Sequence, residues 1–171
     1  MEFNAISLSG DASLDAASVN ASCVTDKYEL AAKLLSEVVR TPTFPEKELD
    51  ILRQQTLLGL MVQSKTPEYS ADKELRQRMF GAHPYSRTDS GEPKDVQALS
   101  AGDVKKWWKT YVRPDSCVLY VAGDVDPAKA QKLAKGLFED WKADGPKPEV
   151  KLPPIPQPSA SHIYLVDRPG S

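Results

Sequence analysis

Between Ala143 and Ser161 the chain reads ADGPKPEVKLPPIPQPSAS, six prolines in nineteen residues. Proline offers no N–H and fixes φ, so neither a helix interior nor a sheet ladder runs through such a stretch. The segment reads as an extended linker, and it sets the organisation of the rest. Residues 1–144 are left to supply a packed domain and residues 145–160 form the linker. Within residues 161–171, HIYLVDRPGS resumes as a strand pattern with no partner downstream.

Two periodicities alternate before the linker. Residues 5–24, AISLSGDASLDAASVNASCV, interleave apolar with small or polar residues, which predicts two strands and a turn near Asp15. Thr25 and Asp26 offer an N-cap for YELAAKLLSEVVR, whose i, i+3, i+4, i+7 apolar spacing predicts an amphipathic helix ending near Arg40. Pro45 in the first turn, with Glu46 and Glu48 at the positive helix end, opens a second helix of about twenty residues. Its expected buried stripe is Leu49, Leu52, Leu57, Leu60 and Met61. Thr66-Pro67-Glu68 starts a third helix, through Ala71, Leu75 and Met79, that stops at Gly81.

After FGAHPYSRTDSG and the turn Ser90-Gly91-Glu92-Pro93, KDVQALS reads as a short helical turn. Ser100 caps AGDVKKWWKTYV, whose Val104, Trp107, Trp108 and Tyr111 are expected to face at least partly inward. RPDSCVLYVAGDV is the clearest strand pattern in the chain, β-branched and bounded by Pro-Asp and Gly-Asp. Asp126-Pro127 begins a last helix, AKAQKLAKGLFEDW. Helices segregated against an antiparallel or mixed sheet make this an α+β architecture.

Composition narrows the function classes. The chain is 40% hydrophobic and 27% charged, ordinary for a soluble globular protein, and its 171 residues suffice for a single core. A net charge of −2, with no basic stripe interleaved with aromatics, gives nucleic acid no electrostatic footprint. No apolar run approaches the roughly 18 residues of a membrane span. MEFNAISLSG lacks the basic start and apolar centre of a signal peptide. Cys23 and Cys117 lie far apart with no CxxC, and read as two buried thiols.

Motif by motif, the chemistry stays bland. His83 has no HxxH, HxxE or ExxH spacing around it, so it reads as a neutral imidazole holding its own loop. Gly123-Asp124-Val125-Asp126-Pro127 has one glycine and no Lys-Ser/Thr; Asp124 would repel phosphate, so the stretch is a strand-to-helix turn capped by Asp126. No GxSxG elbow is present, and Glu46, Glu48 and Asp50 suit a solvated helix start. Trp107, Trp108 and Tyr111 offer a stacking surface, although adjacent tryptophans on a helix point different ways and one is expected in the core.

Taken in order, four stretches carry a resemblance: TPTFPEKELDILRQQ, FGAHPYSRTDSGEPKDVQALSAGDV, YVRPDSCVLYVAGDVDPAKAQKLAKGLFEDW and YLVDRPGS. Together they resemble the pitrilysin/insulinase family of zinc peptidases, which includes mitochondrial processing peptidase. The matching signature positions are Phe44, His83, Pro84, Tyr85, Gly91, Pro114, Gly123 and Asp124. The resemblance implies a LuxS/processing-peptidase-like metallohydrolase fold, with helices on one face of a mostly antiparallel sheet. It also places the first strands and the HxxEH helix of a complete domain upstream of Met1.

Catalytic members hold zinc through HxxEH, whose glutamate activates water, and through a further glutamate about four turns along the long helix. No HxxEH occurs in this chain, and the third-ligand position falls at about Gly59. Residues 51–67, ILRQQTLLGLMVQSKTP, contain no Asp or Glu, so no shift of register recovers a ligand. The resemblance therefore implies a non-catalytic half without a cofactor of its own, zinc belonging to the catalytic relatives.

A homologous catalytic half or subunit is the implied partner, peptide is the implied substrate of the assembly, and neither nucleic acid nor a membrane span is expected. AISLSGDASLD, with Ile6, Leu8 and Ala12, corresponds to the strand that offers its edge to extended peptide. The linker leads toward a following homologous domain, and Arg168 belongs to the strand-turn signature, not to a substrate-holding Arg/Tyr pair. Bacterial relatives are often exported, which points to the periplasm. Two rival roles are a purely structural assembly subunit, like respiratory-complex core proteins, and an independent ligand domain using Trp107 and Trp108.

Overall fold

The computed structural model describes residues 5–157 and 160–167. They form two compact units: one runs to Phe44 and takes in Val104–Pro148, the other joins Pro45–Asp103 to the residues from Glu149 onward. Arg168 lies outside the described residues.

The first unit holds an antiparallel hairpin of β1 (Ser7–Ala12) and β2 (Ala17–Ser22), paired from Ser7 with Ser22 to Ala12 with Ala17. Ser13 closes it, its N–H donating to Ala16 O at 2.8 Å and its Oγ accepting from Ala16 N at 3.2 Å. That places the turn at Leu14 and Asp15, as the alternation predicts.

A 3₁₀ turn over Thr25–Lys27 leads into α1 (Tyr28–Arg40). Here the expected cap fails: neither Thr25 nor Asp26 caps with its side chain, because the chain is already winding before α1 begins. From α1, Ser36 Oγ donates to Leu137 O at 3.4 Å and Arg40 pairs with Asp140 at 2.9 Å. These bonds tie α1 to the end of α6 (Pro127–Phe138). Asp126 Oδ1 accepts from Lys129 N at 2.8 Å, so the turn from Gly123 to Pro127 is a helix cap.

The strand expected over RPDSCVLYVAGDV does not pair. Residues 117–122 run without a ladder, yet exposure still alternates: Val118 and Tyr120 are 73% and 87% exposed, Leu119 and Val121 45% and 44%. An alternating pattern records which face is covered, but a ladder also needs a neighbouring backbone. Ile163 and Leu165 are likewise far more exposed than Tyr164 and Val166, again without pairing among the described residues.

The second unit is built on α2 (Glu46–Gln63), α3 (Pro67–Phe80) and α4 (Pro93–Ala98). Pro45 sits at the N-cap of α2, one position before the first turn. Leu60 alone of the predicted stripe is buried; Leu49 and Leu57 are half-buried, and Leu52 and Met61 are exposed. On α3, Ala71, Leu75 and Met79 are exposed as well. A helical period marks one apolar face; it does not supply the surface that covers it.

Caps follow the sequence more closely. Thr66 Oγ1 accepts from Tyr69 N at 3.4 Å, and Gly81 ends α3 at φ +53°, a conformation that favours glycine. Ser100 Oγ accepts from Asp103 N at 3.1 Å while Asp103 Oδ2 accepts from Ser100 N at 3.0 Å, opening α5 (Ala101–Tyr111) with a reciprocal capping box. The Arg78 guanidinium lies 4.9 Å from the Tyr164 ring centroid. The result is a helix-rich α+β fold with a two-stranded antiparallel sheet among the described residues.

Candidate functional site

The histidine loop is a packed corner. His83 is buried, and its Nδ1 accepts from Tyr85 N at 3.2 Å. The rings of Phe80 and Tyr85 meet edge-to-face at 5.6 Å, and the imidazole lies 4.6 Å from Tyr85. Pro84 opens the 3₁₀ turn Pro84–Ser86, and Gly91, at φ +75°, returns its N–H to Thr88 O at 3.1 Å. His83 therefore supports loop geometry and joins no group of potential metal ligands. His83→Ala is expected to cost about 1–3 kcal/mol, for a lost ring and a freed N–H, with metal content unchanged. Urea unfolding and metal analysis of the same sample check it.

Gly59 lies midway along α2 on an exposed face, with nothing within 4 Å of a Cβ built there. Among the described residues, no three His, Cys, Asp or Glu side chains gather where a metal ion would sit. The zinc of catalytic relatives does not fit these residues, and no step through a metal is derived for them. Cys23 is half-buried and Cys117 exposed, both free thiols, which corrects the expectation of buried cysteines. Each lies where the pairing or cover that its strand-like sequence suggests is incomplete.

Of the peptide-edge residues, Ile6 is buried just before β1, Leu8 is half-buried within it and Ala12 is exposed at its end. Among the described residues β1 pairs with β2 alone, so its other edge is unpaired. The aromatic surface divides as helical geometry requires. Trp107 and Tyr111 are exposed, whereas Trp108 turns inward and donates Nε1–H to Val39 O at 3.1 Å. Phe44 meets Trp108 edge-to-face at 5.5 Å from a backbone at φ +46°. For a bulky residue that conformation costs on the order of 1–2 kcal/mol, so the surrounding structure must hold it.

Arg113 is a feature the sequence reading missed. It is buried, and all five of its N–H donors are used. Nε and Nη2 grip the Asp115 carboxylate at 2.9 and 2.8 Å. The remaining bonds go to the carbonyls of Asp144, Gly145 and Pro146 at 2.9, 3.0 and 3.2 Å. Pro114 lies inside this clasp. The Arg-Pro-Asp spacing hinted at it, but the three carbonyls come from a loop about 30 residues away.

Among the described residues no metal set gathers, but the fold they form has relatives. Residues 98–171 match the family model described as the Peptidase M16 inactive domain. Over those residues the chain is similar to the M16 inactive domain. Its fold superposes on a crystal structure of a peptidase M16 inactive domain from Pseudomonas fluorescens with a TM-score of 0.80 and 29% identity, over 93% of this chain and 39% of that one. The non-peptidase homolog YmxG of Helicobacter pylori is 23% identical over 125 residues, 73% of this chain and 29% of YmxG. The zinc protease PqqE of the same organism is 37% identical over 60 residues, 35% of this chain and 14% of PqqE.

The chain thus spans well under half the length of the proteins it matches. Its likeness extends to a protease and to a non-peptidase, and the matched family model is that of the inactive domain. The chain has an α+β fold and is similar to non-catalytic as well as catalytic M16 proteins.

Proposed function

We propose that this domain belongs to the non-catalytic side of a two-part M16 metallopeptidase, where it completes the substrate chamber of a homologous zinc-bearing half and cuts no peptide itself. One observation carries the reading. In α2, at about the position where the family resemblance implies a glutamate ligand, stands Gly59, facing open space in a stretch that holds no carboxylate from residue 51 to 67. The family match to an inactive domain and the likeness to both YmxG and PqqE support it.

Within that reading residues 1–144 are part of one M16-like domain, 145–160 its linker and 161–171 the first strand of a following homologous domain. The signature residues act as scaffold: Phe44 against Trp108, His83-Pro84-Tyr85 and Gly91 around the loop, Pro114 in the Arg113 clasp, Gly123-Asp124 before the α6 cap. The unpaired edge of β1, beside Ile6, Leu8 and Ala12, is the surface for an extended peptide of the chamber.

The test is reconstitution. The full-length protein carrying this chain is purified and mixed with the M16 zinc peptidase of the same cell. A rise in hydrolysis of a quenched fluorescent peptide supports the chamber role. A stable complex whose peptidase activity does not change would leave a purely structural assembly role in its place.

A further inference from the structure

Two hollows lie side by side in the first unit and share Pro42, Phe44 and Trp108. One, of about 320 Å³, is walled by Leu8, Val19 and Val38 and is almost wholly apolar in character. The other, of about 350 Å³, is lined by Lys105, Lys109, Lys142, Trp141 and the two arginines of the unit's ion pairs. The strained backbone at Phe44 holds its ring on the divide between them. Left-handed geometry at a bulky residue persists only where its surroundings enforce it, and such outliers concentrate where a surface is used.

The charges of the second hollow are not balanced from within. Arg40 is met by Asp140 and Arg113 by Asp115, and Lys109 shares a solvent-exposed pair with Asp144 at 3.2 Å. Lys142 gives Nζ to Glu139 O, a carbonyl just past α6, and lies near Asp140 without forming an ion pair among the described residues. Lys105 has no ion-pair partner among them either. It stands in the first half of α5, where the helix dipole offers a cation nothing. A chain of net charge −2 thus gathers five cations and fewer carboxylates beside an aromatic floor and next to an aliphatic hollow.

We propose that this double hollow docks a segment of a partner protein in which an aliphatic side chain is followed by acidic residues. The aliphatic anchor enters the hollow of Leu8, Val19 and Val38, and the carboxylates meet Lys105 and Lys142 over Trp141. A free small anion would engage only the cationic half, whereas one extended strand of protein spans both. Burial of the anchor supplies affinity, and the solvent-exposed lysines supply register and encounter rate. The docking is independent of zinc chemistry, and it shares Leu8 with the β1 edge.

The probe is acetyl-Ile-Asp-Glu-Asp-amide, titrated against the intrinsic tryptophan fluorescence of the chain. Saturable binding is expected, weakened roughly tenfold by Lys105→Glu and to a similar degree by 0.5 M NaCl. Trp107→Ala, outside both hollows, leaves binding unchanged. Circular dichroism confirms that each variant is folded, as exposed positions allow. Equal binding of acetyl-Ile-Lys-Lys-Lys-amide, or no loss with Lys105→Glu, overturns the proposal. Full competition by free aspartate or citrate at the peptide's own concentration also overturns it, in favour of a small-anion site.

Discussion

Leu60→Ala lowers the stability of the second unit by about 3 kcal/mol, within the range for a buried leucine truncated to alanine. Leu60 is 3% exposed, and among the described residues it is the one large aliphatic side chain of that unit to be buried. Truncation removes three carbons from a site flanked by α2 backbone on one side, and a helix does not collapse readily into the space it leaves. Met61→Ala, one residue on, changes stability by no more than about 0.5 kcal/mol, because Met61 is 54% exposed and already hydrated. Urea midpoints at constant slope measure both. Equal losses at the two positions would mean that α2 buries a face other than the one described.

The second large effect is at Arg113. Arg113→Ala leaves the Asp115 carboxylate without its bidentate partner and three loop carbonyls without donors. Residues 144–147 are expected to detach, and trypsin cleavage after Lys142 to accelerate roughly tenfold. Arg113→Lys restores little, since one ammonium cannot reproduce a planar fork of five donors. The hydrogen bond from Arg113 holds the Asp115 carboxyl below its ordinary range.

A carboxyl lowered in the folded state contributes stability above its unfolded pKa and loses it as pH falls through the folded value. The stability of the clasp, read as a urea midpoint, is therefore flat from neutrality to about pH 4 and falls below it. In Arg113→Ala that acid limb disappears. Asp140, lowered by Arg40, follows the same sign at the end of α6.

How much of this was legible beforehand depends on the range of the interaction. Thr66, Ser100 and Asp126 cap helices through bonds to residues three positions away, so a short window contains all the chemistry. The turn at Asp15 is local in the same sense, and Pro45 erred by a single position. The α2 stripe was half legible: the spacing found an apolar face, but only Leu60 is covered.

Residues 117–122 show the same divide. Their β-branched alternation survives as alternating exposure, while pairing depends on a backbone that nothing in CVLYVA encodes. The Arg113 clasp was illegible because its acceptors are main-chain carbonyls, which every residue offers alike.

For the site, absence was the legible signal. The stretch from residue 51 to 67 holds no carboxylate where the family resemblance implies a zinc ligand, whereas His83, the most chemical-looking residue in the chain, serves its own loop. What the sequence window could not contain is the hollow divided by Phe44, built from five stretches spread along the chain.

On the proposed reading this domain contributes to peptide handling without performing it. The direct measurement is the hydrolysis rate of a quenched fluorescent peptide by the purified full-length protein, alone and with an M16 zinc peptidase of the same cell. The account predicts no rate above buffer for the protein alone, and a rate for the mixture above that of the zinc peptidase by itself. Hydrolysis by the protein alone, abolished by a zinc chelator and restored by zinc, would contradict it.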